Sequence, residues 1–145
     1  MTINRIIQVA PQAYGTTMLN KLNPSSICAP LGAYSHGIEI APGARVVHVS
    51  GQVGVRADGR VVEGIEAQLE CAWQNVLAIL AESNMAAADI VKVTTYLTRA
   101  EDFKVHPRIR ARYLGDARPT ATAVCVSALA APEFLCEIEV IAAKA

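Results

Sequence analysis

Aromatic side chains are scarce in this chain, with two Phe, one Trp and four Tyr among 145 residues. So little planar surface leaves few platforms on which the bases of a single-stranded nucleic acid could stack. Net charge is absent as well, because thirteen Lys and Arg balance thirteen Asp and Glu. No global field therefore draws the chain to a polyanion or an anionic membrane. No stretch approaches the ~20 apolar residues of a membrane span. Met1 to Gly15 also lack the basic segment and apolar run of a secretory leader. The expected location is the cytoplasm, with neither membrane nor nucleic acid as partner.

Ligand spacing is missing too. Cys28, Cys71, Cys125 and Cys136 form no Cys-x-x-Cys pair, and His36, His48 and His106 lack the spacing of a zinc site. The cysteines read as reduced core residues, and no metal is expected. The glycines Gly51, Gly54 and Gly59 are not followed by Gly-Lys-Ser/Thr, so a P-loop is excluded, and no Gly-x-Ser-x-Gly elbow occurs. No cofactor is expected.

What the chain does have is apolar content. Hydrophobic residues make up 52% and charged residues only 18%, a high ratio for a small domain that must cover itself with solvated groups. Some of that surface is expected to meet another subunit. The length suits one domain around one core, read as an N-terminal extension over residues 1–27 and a core over 28–145.

Local patterns suggest the order of elements. Ile3, Ile6, Ile7 and Val9 suit a short first strand, and Pro11 to Pro30 reads as a long irregular connection. Gly37 to Ile40 and Arg45 to Val53 are β-type runs around the Pro42-Gly43 turn, and Asp58-Gly59 marks a second turn, so the opening reads as a meander. Ile65, Leu69, Ala72, Trp73, Val76, Ile79 and Leu80 recur at steps of three and four, which predicts an amphipathic helix with Asn84 as its left-handed stop. Ile90 to Leu97 is β-branched and aromatic, hence a strand. Thr98 and Glu101 have capping-box spacing for a second helical stretch ending near Gly115, with a break or restart at Pro107. On that stretch Lys104, Arg108 and Arg112 make a basic stripe that reads as a solvated face. Thr120 to Ser127 and Leu135 to Ala142 complete the set, joined by a turn around Pro132. The expected fold is α+β, one mixed sheet with both helices on one face.

On the last strand, alternation places Cys136, Ile138 and Val140 on one face and Glu137 and Glu139 on the other. Two carboxylates beside Leu135 and Ile141 suit neither a core nor an open surface. They suit a face completed by another subunit.

Three segments, Gly32-Ala33-Tyr34-Ser35-His36, Val49-Ser50-Gly51-Gln52 and Glu137-Ile138-Glu139, resemble the RidA/YjgF family of reactive-intermediate deaminases by their order and spacing. The resemblance runs from about Ala29 to Ala143 and takes in Trp73, Asn75, Val91-Lys92 and Asp102-Phe103. It implies a chorismate-mutase-like homotrimer, with a central barrel of three sheets and clefts between subunits. The implied activity is hydrolysis of a small enamine or imine to a carbonyl compound and ammonia, without metal or organic cofactor. It further implies that Glu137 holds the attacking water and Tyr34 lines the cleft, while the Ser50-Gly51 segment donates backbone N–H groups to substrate. Two positions depart from the pattern. Ala121, before Thr122 in Pro119-Thr120-Ala121-Thr122, stands where the family carries a carboxylate-clamping arginine, and Pro107 stands where it carries an asparagine. These departures put the usual 2-aminoacrylate activity in doubt and leave two alternatives, a non-catalytic metabolite-binding trimer and, third in order, an endoribonuclease.

Overall fold

The computed structural model describes residues 18–145 of the chain. The stretch from Ile3 to Val9 lies outside them. Six strands and two α-helices follow in the order β1 Leu19–Leu22, β2 Gly37–Ile40, β3 Arg45–Val53, α1 Ile65–Glu82, β4 Ile90–Leu97, α2 His106–Leu114, β5 Thr120–Cys125 and β6 Cys136–Lys144. Short 3-10 turns at Ala87–Asp89 and Ala100–Lys104 precede β4 and α2.

Four strands form a mixed sheet in the order β3-β6-β4-β5. The last strand enters the middle, antiparallel to β3 and to β4, while β5 runs parallel to β4. Each parallel relationship needs a long crossover, and α1 and α2 supply them. Both helices cover one face. Arg108 and Arg112 of α2 pair with Glu66 and Glu70 of α1, and His106 at the start of α2 reaches the buried Thr95 of β4.

The helix-covered face is the core. Leu69, Ala72, Trp73, Val76 and Leu80 of α1 are fully buried against Val93 and Leu97 of β4 and Cys136, Ile138 and Val140 of β6. Burial of each large side chain contributes roughly 1.5–3 kcal/mol, and the three-four periodicity puts them on one stripe. Asn84 ends the helical segment with φ 55°, as its sequence position predicts.

Several expectations are corrected. The opening is not a meander, and the mixed sheet is not the only sheet. β2 pairs with β1 in a separate two-stranded ribbon, and β3 pairs with β6. The Pro42-Gly43 turn does redirect the chain, with Gly43 at φ 86°, but the hydrogen-bonding groups of β2 are taken by Leu19–Leu22. That strand lies within the stretch expected to be irregular. Thr98 caps nothing, because its hydroxyl donates to the Leu135 carbonyl, and the 3-10 turn opens after Arg99, which pairs with Asp102. Pro107 does sit in the first turn of α2. The four cysteines are free, yet only Cys71 and Cys136 are core residues, while Cys28 and Cys125 are exposed.

One buried amide sets where the last strand begins. Gln68 on α1 donates to the carbonyls of Val62 and Glu133 at 3.1 and 2.8 Å and accepts from the Leu135 N–H at 2.8 Å. Gly54 lets the exit of β3 come this close, since a Cβ there would lie 2.6 Å from the Gln68 Cα.

Candidate functional site

The open face of the sheet carries the carboxylates. Val49 pairs with Val140 and Gln52 with Ile138, so Ser50 and Gly51 together stand opposite the single residue Glu139. This is a β-bulge, which takes one residue out of the ladder and re-aims its backbone groups. The Gln52 amide donates to the Ser50 and Gly51 carbonyls at 3.2 and 3.4 Å, which secures the acceptor side of the bulge. The expected N–H donors therefore sit in an irregular segment rather than in a plain strand exit.

Glu137 lies across that bulge. A Cβ on residue 51 would overlap the Glu137 Oε1 and come within 2.5 Å of its Cδ and 2.8 Å of its Cγ. Gly51 is thus the floor of a cradle for the Glu137 carboxylate. Among the described residues Glu137 accepts no side-chain hydrogen bond, whereas Glu139 accepts one from the Tyr96 hydroxyl at 3.0 Å. That bond is the main reason the Tyr96 hydroxyl is held above its usual pKa, with desolvation and the charges of Glu139 and Glu137 adding to it. Spacing alone leaves the two glutamates equivalent. The structure gives Glu139 a partner and leaves Glu137 open.

Beside the cradle a hollow of about 370 Å³ is lined by His48, Ser50, Lys92, Thr94, Glu139 and Ile141. Lys92 extends from β4 to the Thr122 hydroxyl at 2.8 Å, so Thr122 borders the same open face. Ala121 does not. It pairs with the buried Val93, and strand alternation turns it to the helix side. Cys136, next to Glu137 in sequence, is also on the helix side, where burial pushes its thiol up to about 12.

Tyr34 and Pro107 come together elsewhere. Leu31, Gly32, Ala33 and Tyr34 face His106, Pro107, Arg110 and Ala111 of α2 across a pocket of about 380 Å³. The Tyr34 loop is braced by its own contacts. Ser35 donates through its hydroxyl to the Arg118 carbonyl at 2.7 Å and through its N–H to the Pro119 carbonyl at 3.1 Å, while the rings of Tyr34 and His36 meet edge to face at 5.7 Å. Because α2 covers one face of the sheet and Glu137 lies on the other, a single chain does not join Tyr34 to the Glu137 cradle.

Arg110, which also lines this pocket, was not singled out by the sequence. Its guanidinium donates to the Ala33 carbonyl at 2.9 Å, and its pKa is lowered by burial and by the charge of Arg118. The neighbouring basic stripe offered no hint, since Arg108 and Arg112 are spent on α1 carboxylates. Those two pairs accord with the solvated-face reading of the stripe.

A two-layer α+β domain with a bulged edge strand, an open carboxylate cradle and a second pocket under a helix start is the class defined by this geometry. Residues 25–144 match the family described as Endoribonuclease L-PSP. The chain belongs to this family, the RidA/YjgF or Rid family. A RutC family protein of Pyrococcus abyssi is 35% identical over 117 residues, covering 79% of this chain and 89% of the relative. The crystal structure of YyfB from Yersinia pestis, a Rid family protein of unknown function, aligns with a TM-score of 0.77 at 30% identity, over 87% of this chain and 98% of that one. TdcF of Escherichia coli carries the provisional name reactive intermediate deaminase. Its crystal structure with bound serine aligns with a TM-score of 0.66 at 27% identity, over 80% of this chain and 91% of that one.

Proposed function

We propose that this chain is a homotrimeric, metal-free deaminase that hydrolyses a small enamine or imine in clefts between its subunits. The observation that carries the reading is the Glu137 carboxylate, which among the described residues accepts no side-chain hydrogen bond and is laid over Gly51 on the sheet face that α1 and α2 leave open. The name of TdcF and the serine in its crystal structure support a small nitrogen-bearing metabolite as ligand. A second copy supplies the missing wall. The Tyr34 pocket and the Glu137 cradle lie on opposite sides of one sheet, so a shared site has to be assembled from two chains, closing into a trimer around the open faces.

The chemistry balances without a cofactor. An enamine tautomerises to its imine, water adds across C=N, and the carbinolamine loses ammonia to leave the carbonyl compound. Glu137 takes a proton from the water as it attacks and returns one to the departing nitrogen. The N–H groups of the Ser50-Gly51 bulge hold the substrate in place. Thr122, Ala121 and Pro107 shape the rest of the cleft, and the exchange of arginine for Ala121 lowers turnover of 2-aminoacrylate unless another cation holds its carboxylate.

The test couples assembly to turnover. Light scattering on a sizing column should give three times the 15.4 kDa chain mass, and imines generated in situ should release ammonia and carbonyl compound at a rate unchanged by a chelator. A stable monomer, or no release from any imine tried, removes the proposal. Ligand binding without turnover would favour a non-catalytic binding trimer, the reading to which Ala121 and Pro107 point. Cleavage of RNA that is lost when Lys104, Arg108 and Arg112 are replaced would favour the nuclease instead.

A further inference from the structure

The pocket between the Tyr34 loop and α2 has more positive charge than the fold uses. Arg110 and Arg118 are close enough for the charge of one to disfavour that of the other. Among the described residues neither has a carboxylate within 4.0 Å, as is also true of Arg45 and Arg56 outside this pocket, while Arg60, Arg99, Arg108 and Arg112 all do. Residues 1–17 cannot supply one either, because that segment contains no Asp or Glu. Arg118 is turned to the carbonyls of Gly115 and Ala117, both at 2.9 Å, and Arg110 to that of Ala33. Neutral carbonyls satisfy some donors of a guanidinium but leave its charge uncompensated, and a partly buried cation in that state favours an anion.

The walls restrict which anion fits. Leu31, Ala33, Ala111 and the ring of Pro107 are apolar, and His106 is buried, with its pKa lowered to about 4 by burial and then by Arg110. A neutral imidazole adds no second charge at pH 7, and the hollow is too apolar to welcome a polyphosphate.

We propose that Arg110, with Arg118 behind it, is the cation of a site for small monocarboxylates with a short apolar chain, such as 2-oxo or 2-imino acids, walled by Tyr34, Ala111 and Pro107. The assignment rests on the reading of Tyr34 as part of the substrate cleft. Arg110 then does from α2 what Ala121 cannot do from β5. The planar fork accepts a carboxylate in two parallel bonds, a geometry that lysine does not reproduce.

The experiment is a titration of the trimer with 2-oxobutanoate and, separately, with its uncharged methyl ester, followed by amide NMR and calorimetry. Wild type should bind the acid at least tenfold more tightly than the ester, with the largest shifts at Tyr34 and Ala111. Arg110→Gln should abolish that preference while leaving ester affinity and trimer mass as they were, and Arg110→Lys should recover only part of it. Equal affinity of wild type and Arg110→Gln for the acid overturns the assignment. So do shifts confined to the hollow around Ser50 and Lys92. Should Arg110→Gln prove insoluble, the acid-to-ester ratio and shift map of wild type still decide. Glu137→Gln separates this inference from the deaminase reading. It should keep the acid preference whether or not turnover depends on Glu137, so loss of either property leaves the other standing on its own result.

Discussion

Gly51 and Glu137 are matched, because the carboxylate occupies the space that a side chain at position 51 would fill. The atoms in the way are the flexible outer part of Glu137 rather than backbone, and Gly51 is not among the glycines at positive φ. Gly51→Ala should therefore fold well, with a stability change within about 1 kcal/mol. Deaminase activity should fall by at least tenfold as Glu137 is displaced. Parallel melting curves and ammonia-release rates decide it. Full activity in the alanine variant would show that the cradle is not used.

The two glutamates should also part in their kinetics. Glu137→Gln preserves shape but cannot take up a proton, so the expectation is a loss of about 10²-fold or more in kcat. Glu139→Gln, on the residue already bonded to Tyr96, should cost less than tenfold, and Tyr96→Phe should act alike. A rate for Glu137→Gln equal to wild type, measured on the same imine with trimer mass checked, removes Glu137 from the mechanism.

Gln68 offers a stability test away from the chemistry. Gln68→Ala leaves two carbonyls and one N–H near the start of β6 without partners, at a cost of about 2–4 kcal/mol. Urea denaturation should show the midpoint fall. Gly54→Ala should destabilise as well, by about 1–3 kcal/mol, because its Cβ meets helix backbone that cannot turn aside.

His106 predicts a pH dependence of folding. Burial, then the charge of Arg110, lowers its pKa to about 4 from 6.5, so the unfolded chain takes up a proton that the folded chain refuses. Above the unfolded value both states are neutral and the residue contributes no slope. As pH falls from about 6.5 toward 4, stability should drop by an amount on the order of 1–3 kcal/mol and then level off. His106→Gln should flatten this segment of the curve. An unchanged slope in that variant would assign the dependence to other groups.

Much of the architecture was legible in the sequence because it is written in local periodicity. The three-four spacing from Ile65 to Leu80 located α1, Asn84 its end, and Ile90 to Leu97 matched β4 residue for residue. Alternation along the last strand separated Cys136, Ile138 and Val140 from Glu137 and Glu139, as their burial bears out. Pairing is another matter. Which strand takes the hydrogen bonds of β2, and the bulge that sets two residues of β3 against one of β6, depend on partners far along the chain that no window of sequence contains. The difference between Glu137 and Glu139 comes from a tyrosine 43 residues away. The same holds for the arginines of α2: Arg108 and Arg112 meet α1 carboxylates 42 residues distant while Arg110, between them, meets none. Helical spacing of ~100° per residue turns Arg110 away from its neighbours' face, but only the packed structure shows that it turns to a pocket where, among the described residues, no carboxylate lies within 4.0 Å of it.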